Sequence, residues 1–301
     1  MLAPMNRSVR TIVAAEPMEV GTSSGWRAMP GSAIDVVDPV LLVDYFHRTT
    51  PGGEDHRHAG VGPHPHRGFS PIGIVLAGEA HHRDSRGNDH VVSEGGVQWI
   101  DAGMGLWHSE RPTKAFAERG GLHEHLQVWI NSPAARKHDV PRYRPVQREE
   151  IPTVGPVRVL AGTRFGVAGA YETFTPIEMA LVDLEDGGTI DLPAPKGHGT
   201  ILFVREGAGR LDLGDGASAK SRDLVHFGDD GDVARVTARG PVRFLFVSGK
   251  PIGEPIAWQG PFVMNTTTEI LEAMRDAQKG KMGVLIEDYS HPRGKPAVEP
   301  D

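Results

Sequence analysis

Gly62-Pro63-His64-Pro65-His66-Arg67-Gly68-Phe69 reads as an extended segment. Proline at 65 is excluded from a helix interior, and it pushes the preceding His64 into extended backbone as well. Side chains two apart on an extended chain project to the same face, so both imidazoles point into one space. A second stretch, Asp101-Ala102-Gly103-Met104-Gly105-Leu106-Trp107-His108-Ser109-Glu110, repeats the spacing. His108 and Glu110 are two apart, and the glycines at 103 and 105 permit a sharp turn ahead of them. Three imidazoles and a carboxylate on neighbouring strands form a donor set for a first-row divalent metal such as iron, nickel, copper, manganese or zinc. A four-ligand set of this kind on an octahedral ion leaves positions for substrate and dioxygen.

The sequence between and around these stretches has the rhythm of antiparallel strands. Residues 72–77 are apolar and β-branched and end in Gly78-Glu79. Residues 81–83 and 90–92 flank Asp84-Ser85-Arg86-Gly87-Asn88, a strong hairpin loop. Residues 97–100 form a further strand. Residues 126–130 alternate with Gln127 and Trp129, which predicts a strand with two distinct faces. Ahead of it, Leu122-His123-Glu124-His125 adds two more imidazoles, which read first as solvated loop histidines and second as lining for the mouth of a cavity.

Composition agrees. Of 301 residues, 38 are glycine and 24 are proline. Both are poor in helix interiors, which argues against a helix bundle and for short strands joined by tight turns. There is no cysteine, so disulfides, zinc–thiolate sites and iron–sulfur clusters are excluded. The net charge is −7, which argues against direct nucleic-acid binding. No apolar run approaches the ~20 residues of a membrane span. The first ten residues lack the apolar centre of a signal peptide, so a cytoplasmic protein is expected. Of 15 histidines, 12 precede residue 150. His198, His226 and His291 lie after it, without a His-x-His or His-x-Glu pair.

The chain length suggests two domains. Prolines 133, 141, 145, 152 and 156 interrupt a charged stretch that reads as an inter-domain linker, giving an N-terminal metal-binding domain over 1–137 and a second over 138–301. Residues 178–184, 200–205, 209–213, 224–227, 233–237 and 242–247 repeat the β rhythm. Each half is expected to be a sandwich or barrel, with no metal in the second. One helix stands out over 267–279, where Thr266 and Glu269 form a capping box and Ile270, Leu271, Met274 and Ala277 follow at helical spacing.

These residues resemble the pirin family of bicupin proteins. The resemblance rests on His-Pro-His-Arg-Gly-Phe at 64–69, Val97-Gln98-Trp99, His108-Ser109-Glu110, and Leu126-Gln127-Val128-Trp129-Ile130-Asn131. It also rests on Gly253-Glu254-Pro255-Ile256 and Gly260-Pro261-Phe262-Val263-Met264-Asn265-Thr266. It spans about residues 25–285 and keeps the motifs in order. It implies an all-β protein of two jelly-roll-like cupin barrels in tandem. The implied metal site lies in the first barrel alone and has His64, His66, His108 and Glu110 as ligands. Iron(II) is the implied metal, with nickel, copper, manganese, cobalt or zinc as alternatives. One departure is Ser70-Pro71, which follows Phe69 where the family commonly has an acidic residue.

The implied activity is that of a quercetin 2,3-dioxygenase, acting on a flavonol-like aromatic substrate and dioxygen. Glu110 is then both ligand and catalytic base for the flavonol hydroxyl. Phe69, Trp99 and Trp107 read first as ordinary core aromatics and second as wall residues for a flat substrate, and the second barrel is expected to shape the cleft. The alternative is a metal-dependent regulatory protein of the transcriptional co-regulator type, which binds a protein partner without turnover.

Overall fold

The computed structural model describes residues 4–214 and 216–287, so His291 lies outside the described residues. Each half is a two-sheet antiparallel sandwich. In the first, a seven-stranded sheet has the order Arg142–Val146, Val97–Asp101, Phe69–Ala77, Gly121–Asn131, Val40–Thr50, Ser23–Met29, Glu16–Val20. It is paired with a four-stranded sheet, Val61–His66, Leu106–Arg111, Glu79–Asp84, Asp89–Ser93. The second half repeats the plan with sheets of seven and four strands. Within each half the two sheets remain separate ladders among the described residues, so these are jelly-roll sandwiches rather than closed barrels.

The seven-stranded sheets pack against each other. In the strand Gly121–Asn131, Leu126, Val128 and Ile130 belong to one apolar core with Met179, Ile201 and Val247 of the second sandwich. The alternate residues His123, His125, Gln127 and Trp129 face the interior of the first sandwich. The period of two in this strand therefore separates an apolar inter-domain face from a polar, aromatic cavity face.

Sheet membership does not follow a division at residue 137/138. Val9–Ala14 pairs with Asp223–Phe227 and forms the edge of the second sandwich. Just before it, the buried Arg7 guanidinium donates to the carbonyls of Ala194 (3.0 Å), His198 (2.9 Å) and Gly228 (2.9 Å). Conversely, Arg142–Val146, inside the expected linker, pairs with Val97–Asp101 of the first sandwich. A sheet edge exposes unpaired backbone donors and acceptors, and each of these segments satisfies the edge it reaches.

The C-terminal helix spans Thr267–Gln278, with the Thr266/Glu269 capping box in place. It packs on the first sandwich. Ile270 and Ala273 join a cluster with Phe262, Met264 and Met282, and Trp107 lies against it. Leu271, expected on the apolar stripe, is 60% exposed. A second, short helix at Lys114–Arg119 carries too few residues for a readable period. No helix among the described residues is long and apolar enough to cross a membrane.

Candidate metal centre

The two histidine stretches become neighbouring strands of the four-stranded sheet. His108 is directly opposite His64, and Leu106 is opposite His66. A bulge follows, so that Glu110 pairs with Val61, one residue earlier than the Gly62 an unbroken register would bring opposite it. Gly68, in the turn between Val61–His66 and Phe69–Ala77, has φ +87°, a region that L side chains rarely adopt, and a Cβ there would run into the Val263 carbonyl. Arg67 donates to the Met104 carbonyl (2.6 Å) and pairs with Asp276 of the C-terminal helix (3.2 Å). The strand, the glycine-rich loop and the helix are thereby held together.

Three imidazoles converge. One ligating nitrogen from each of His64, His66 and His108 lies within 4.8 Å of the others. The ring centroids are separated by 4.3–4.9 Å. Burial pushes the pKa of His64 down, and those of His66 and His108 well down, which keeps all three neutral with a lone pair available. Both ring nitrogens of His108 are buried with no hydrogen-bond partner among the described residues. A neutral imidazole carries one lone pair and one N–H, and a metal ion at the cluster would take the lone pair of one of these nitrogens. The Pro261 carbonyl lies 3.3 Å from His66 Nδ1 and orients that ring from the C-terminal segment.

Glu110 lines the same cavity but is not part of the three-imidazole cluster. Its carboxylate accepts a hydrogen bond from the Gln98 amide. Burial pushes its pKa up to about 7, against the opposing effect of that bond. Gln98, on the facing sheet, is a site residue that the sequence reading passed over, because nothing in Val-Gln-Trp marks it as polar contact rather than strand filler. His82 was also passed over. It pairs with Asp84 at 3.2 Å, stacks on Tyr143 at 3.9 Å, and lies 5.4 Å from His108 between ring centroids.

The cavity beside the imidazoles has a volume of about 380 Å³. Its aromatic walls are Phe46, Phe116 and Trp129, while Phe69, Trp99 and Trp107 sit in or against apolar clusters. Phe69 lies behind His66 in a core with Leu41 and Val263. Trp99 is buried in the inter-domain core, with its indole N–H donating to Asp101 at 3.1 Å. Trp107 faces the C-terminal helix. The second sandwich contributes no lining residue, because it packs on the far face of the seven-stranded sheet. His123 and His125 do reach the cavity, as strand residues rather than loop residues.

Comparison with known proteins agrees with this architecture. Residues 23–130 match the pirin family and residues 179–283 the pirin C-terminal cupin domain. The chain belongs to the pirin family. A pirin-like protein of Caulobacter vibrioides is 33% identical over 291 residues, covering 91% of this chain and 99% of that protein. A Pseudomonas aeruginosa protein that carries the provisional name quercetin 2,3-dioxygenase is 35% identical over 252 residues, 81% of this chain and 86% of that one. The crystal structure of quercetin 2,3-dioxygenase from Acinetobacter baumannii superposes with a TM-score of 0.87 at 32% identity, covering 94% of this chain and 100% of that one. The two sandwiches of this pirin are thus two cupin domains. Their similarity of plan means that the difference in histidine content does not come from a difference in fold.

Proposed function

We propose that this pirin is a metal-dependent dioxygenase of the quercetin 2,3-dioxygenase type, acting on flavonols or related phenols. The observation that carries the reading is the convergence of three neutral imidazoles, one with both nitrogens orphaned, beside an aromatic-walled cavity of about 380 Å³. His64, His66 and His108 hold the metal, with Glu110 as the fourth ligand and iron(II) as the ion. An ion bound there would supply Lewis acidity toward the enol oxygen of a flavonol. Glu110 takes the proton of the flavonol hydroxyl on its carboxylate, and Gln98 fixes the direction of that carboxylate. Phe46, Phe116 and Trp129 exclude water and hold the flat rings. The similarity to the Acinetobacter and Pseudomonas proteins supports the reaction type.

The test pairs metal analysis with dioxygen uptake. Wild-type protein loaded with iron(II) should retain one ion per chain and consume dioxygen with at least one flavonol. His108→Ala should lose both, since about 10–100-fold in metal affinity goes with far smaller changes around such sites. Full metal content in His108→Ala refutes the site. A metal-loaded wild type that consumes no dioxygen across a flavonol panel refutes the reaction.

A further inference from the structure

The strand Gly121–Asn131 presents more to the cavity than the metal chemistry uses. Trp129 lies against His66, with ring centroids 5.2 Å apart. From there the inward-facing residues run Gln127, His125, His123, away from the metal end. Four residues of strand separate Trp129 from His125, about 13 Å at the usual rise. Gly73 lets this row close on the metal side. It has no Cβ, and both Gln98 and the His125 ring fill the space one would occupy. On the neighbouring strand Phe46 is opposite His125 and Arg48 is opposite His123.

Within this row His125 Nε2 pairs with Gln127 Oε1 at 3.3 Å, but other polar atoms stay unsatisfied. His123 Nδ1, His125 Nδ1, Trp129 Nε1 and Arg48 Nε are buried without a hydrogen-bond partner among the described residues. These four gather in residues that line one cavity, and each is costly while it stays unpaired. Their character limits what that ligand is. Burial holds His123 and His125 well below the usual histidine range, at about 3 and 4, so both rings are uncharged. Arg48 lies 3.7 Å from Glu54, which offsets its charge. The wall is therefore polar but close to neutral. It suits hydroxyl groups, which donate and accept, better than a carboxylate or phosphate, which would call for an unopposed cation.

We infer that His123 and His125, with Arg48 beside them, form a hydroxyl-recognising subsite that selects polyhydroxylated phenols over ring systems without hydroxyl substituents. The inference rests on reading the cavity as a phenol site. It adds specificity residues that act on the far part of the substrate while the imidazole cluster acts on the reacting part.

The experiment measures binding and turnover separately in the iron-loaded protein. Dissociation constants for quercetin and for 3-hydroxyflavone, which keeps the reacting 3-hydroxyl but lacks those on the two outer rings, are read from tryptophan fluorescence quenching, and dioxygen uptake is followed with both. Wild type should bind quercetin about tenfold more tightly, the scale of one buried hydrogen bond. His123→Phe/His125→Phe should erase most of that preference, while His125→Gln, which keeps a donor and an acceptor, retains part of it. Bound iron and the thermal unfolding transition report whether each variant is folded. His123→Leu alone is the second variant if the double one unfolds, and it should also reduce the preference. Equal affinities for the two ligands in wild type, or an undiminished preference in the folded variants, overturns the subsite. So does failure of wild type to bind either flavonol. A quercetin preference that depends on the histidines, without dioxygen uptake, supports the subsite and sinks the reaction type. Dioxygen uptake with equal affinities does the reverse.

Discussion

At the scale of single residues, the site is assembled by positions where only one side chain fits. Gly68 is the clearest. Its φ of +87° and the Val263 carbonyl packed against its Cα leave no room for a Cβ. Its own carbonyl accepts a hydrogen bond from the buried Lys137 ammonium at 2.6 Å, and the same ammonium reaches Asn131 Oδ1 at 2.7 Å and the Val263 carbonyl at 3.0 Å. Burial brings that lysine down to about 8. Gly68→Ala should therefore cost about 1–3 kcal/mol through backbone strain, besides displacing Val263. Urea unfolding at neutral pH measures this, and an unchanged midpoint would show that the loop relaxes without strain. The three clustered imidazoles and Glu110 were readable because each pair lies two apart on an extended chain, a spacing that leaves little freedom. Gln98 and His82 were not, because their roles arise from facing and adjoining strands that sequence spacing does not relate.

At the scale of elements, capping and alternation carried the legible information. The C-terminal helix begins where Thr266 and Glu269 place it, with Glu269 N–H donating to Thr266 Oγ1 at 3.2 Å and Thr266 N–H donating to Glu269 Oε2 at 2.8 Å. Thr266→Ala should cost about 1 kcal/mol. Because the helix carries Asp276 to Arg67, the loss should also appear as faster amide exchange through residues 266–278, with the second sandwich unaffected. Exchange that rises uniformly across the chain would argue against local anchoring. The strand at 121–131 was legible only in part. Its Leu126, Val128 and Ile130 face announced a strand, but the polar face at His123 and His125 resembled a solvated loop. A cavity-facing histidine and a surface histidine have the same sequence signature, and the facing sheet makes the difference.

At the scale of the whole molecule, what escaped the sequence is the way the two sandwiches exchange ends. Val9–Ala14 crosses to the second sandwich and the segment after Ala257 returns to the first, so neither half is complete within one stretch of chain. Hydrophobic patterning marks a strand but not which sheet edge receives it, and a cut by proline content could not locate either crossing. The joint between the sandwiches is closed by one buried ion pair as well as by apolar packing. Arg205 of the second sandwich meets Glu124 of the first in two bonds of 2.9 Å, and Tyr45 donates to the same carboxylate at 2.7 Å. Both charged side chains are under 5% exposed. Burial pushes the Glu124 pKa up, but the bonds and charge of Arg205 and the tyrosine bond outweigh it, leaving the group below its ordinary 4.5. The folded state thus binds the Glu124 proton less readily than the unfolded chain. Its contribution is complete above the unfolded value and is lost as pH falls through the lower folded value. Glu124→Gln strands a buried guanidinium and should destabilise the protein by about 3 kcal/mol at pH 7. The gap between variant and wild type should close as the pH is taken below 4.5, because protonation then removes the same charge from the wild type. Urea unfolding at a series of pH values reads both effects. A gap that stays constant from pH 7 to pH 3 would mean that the Glu124 charge contributes nothing to the joint, and that shape and apolar contact between the seven-stranded sheets hold the two cupin domains together without it.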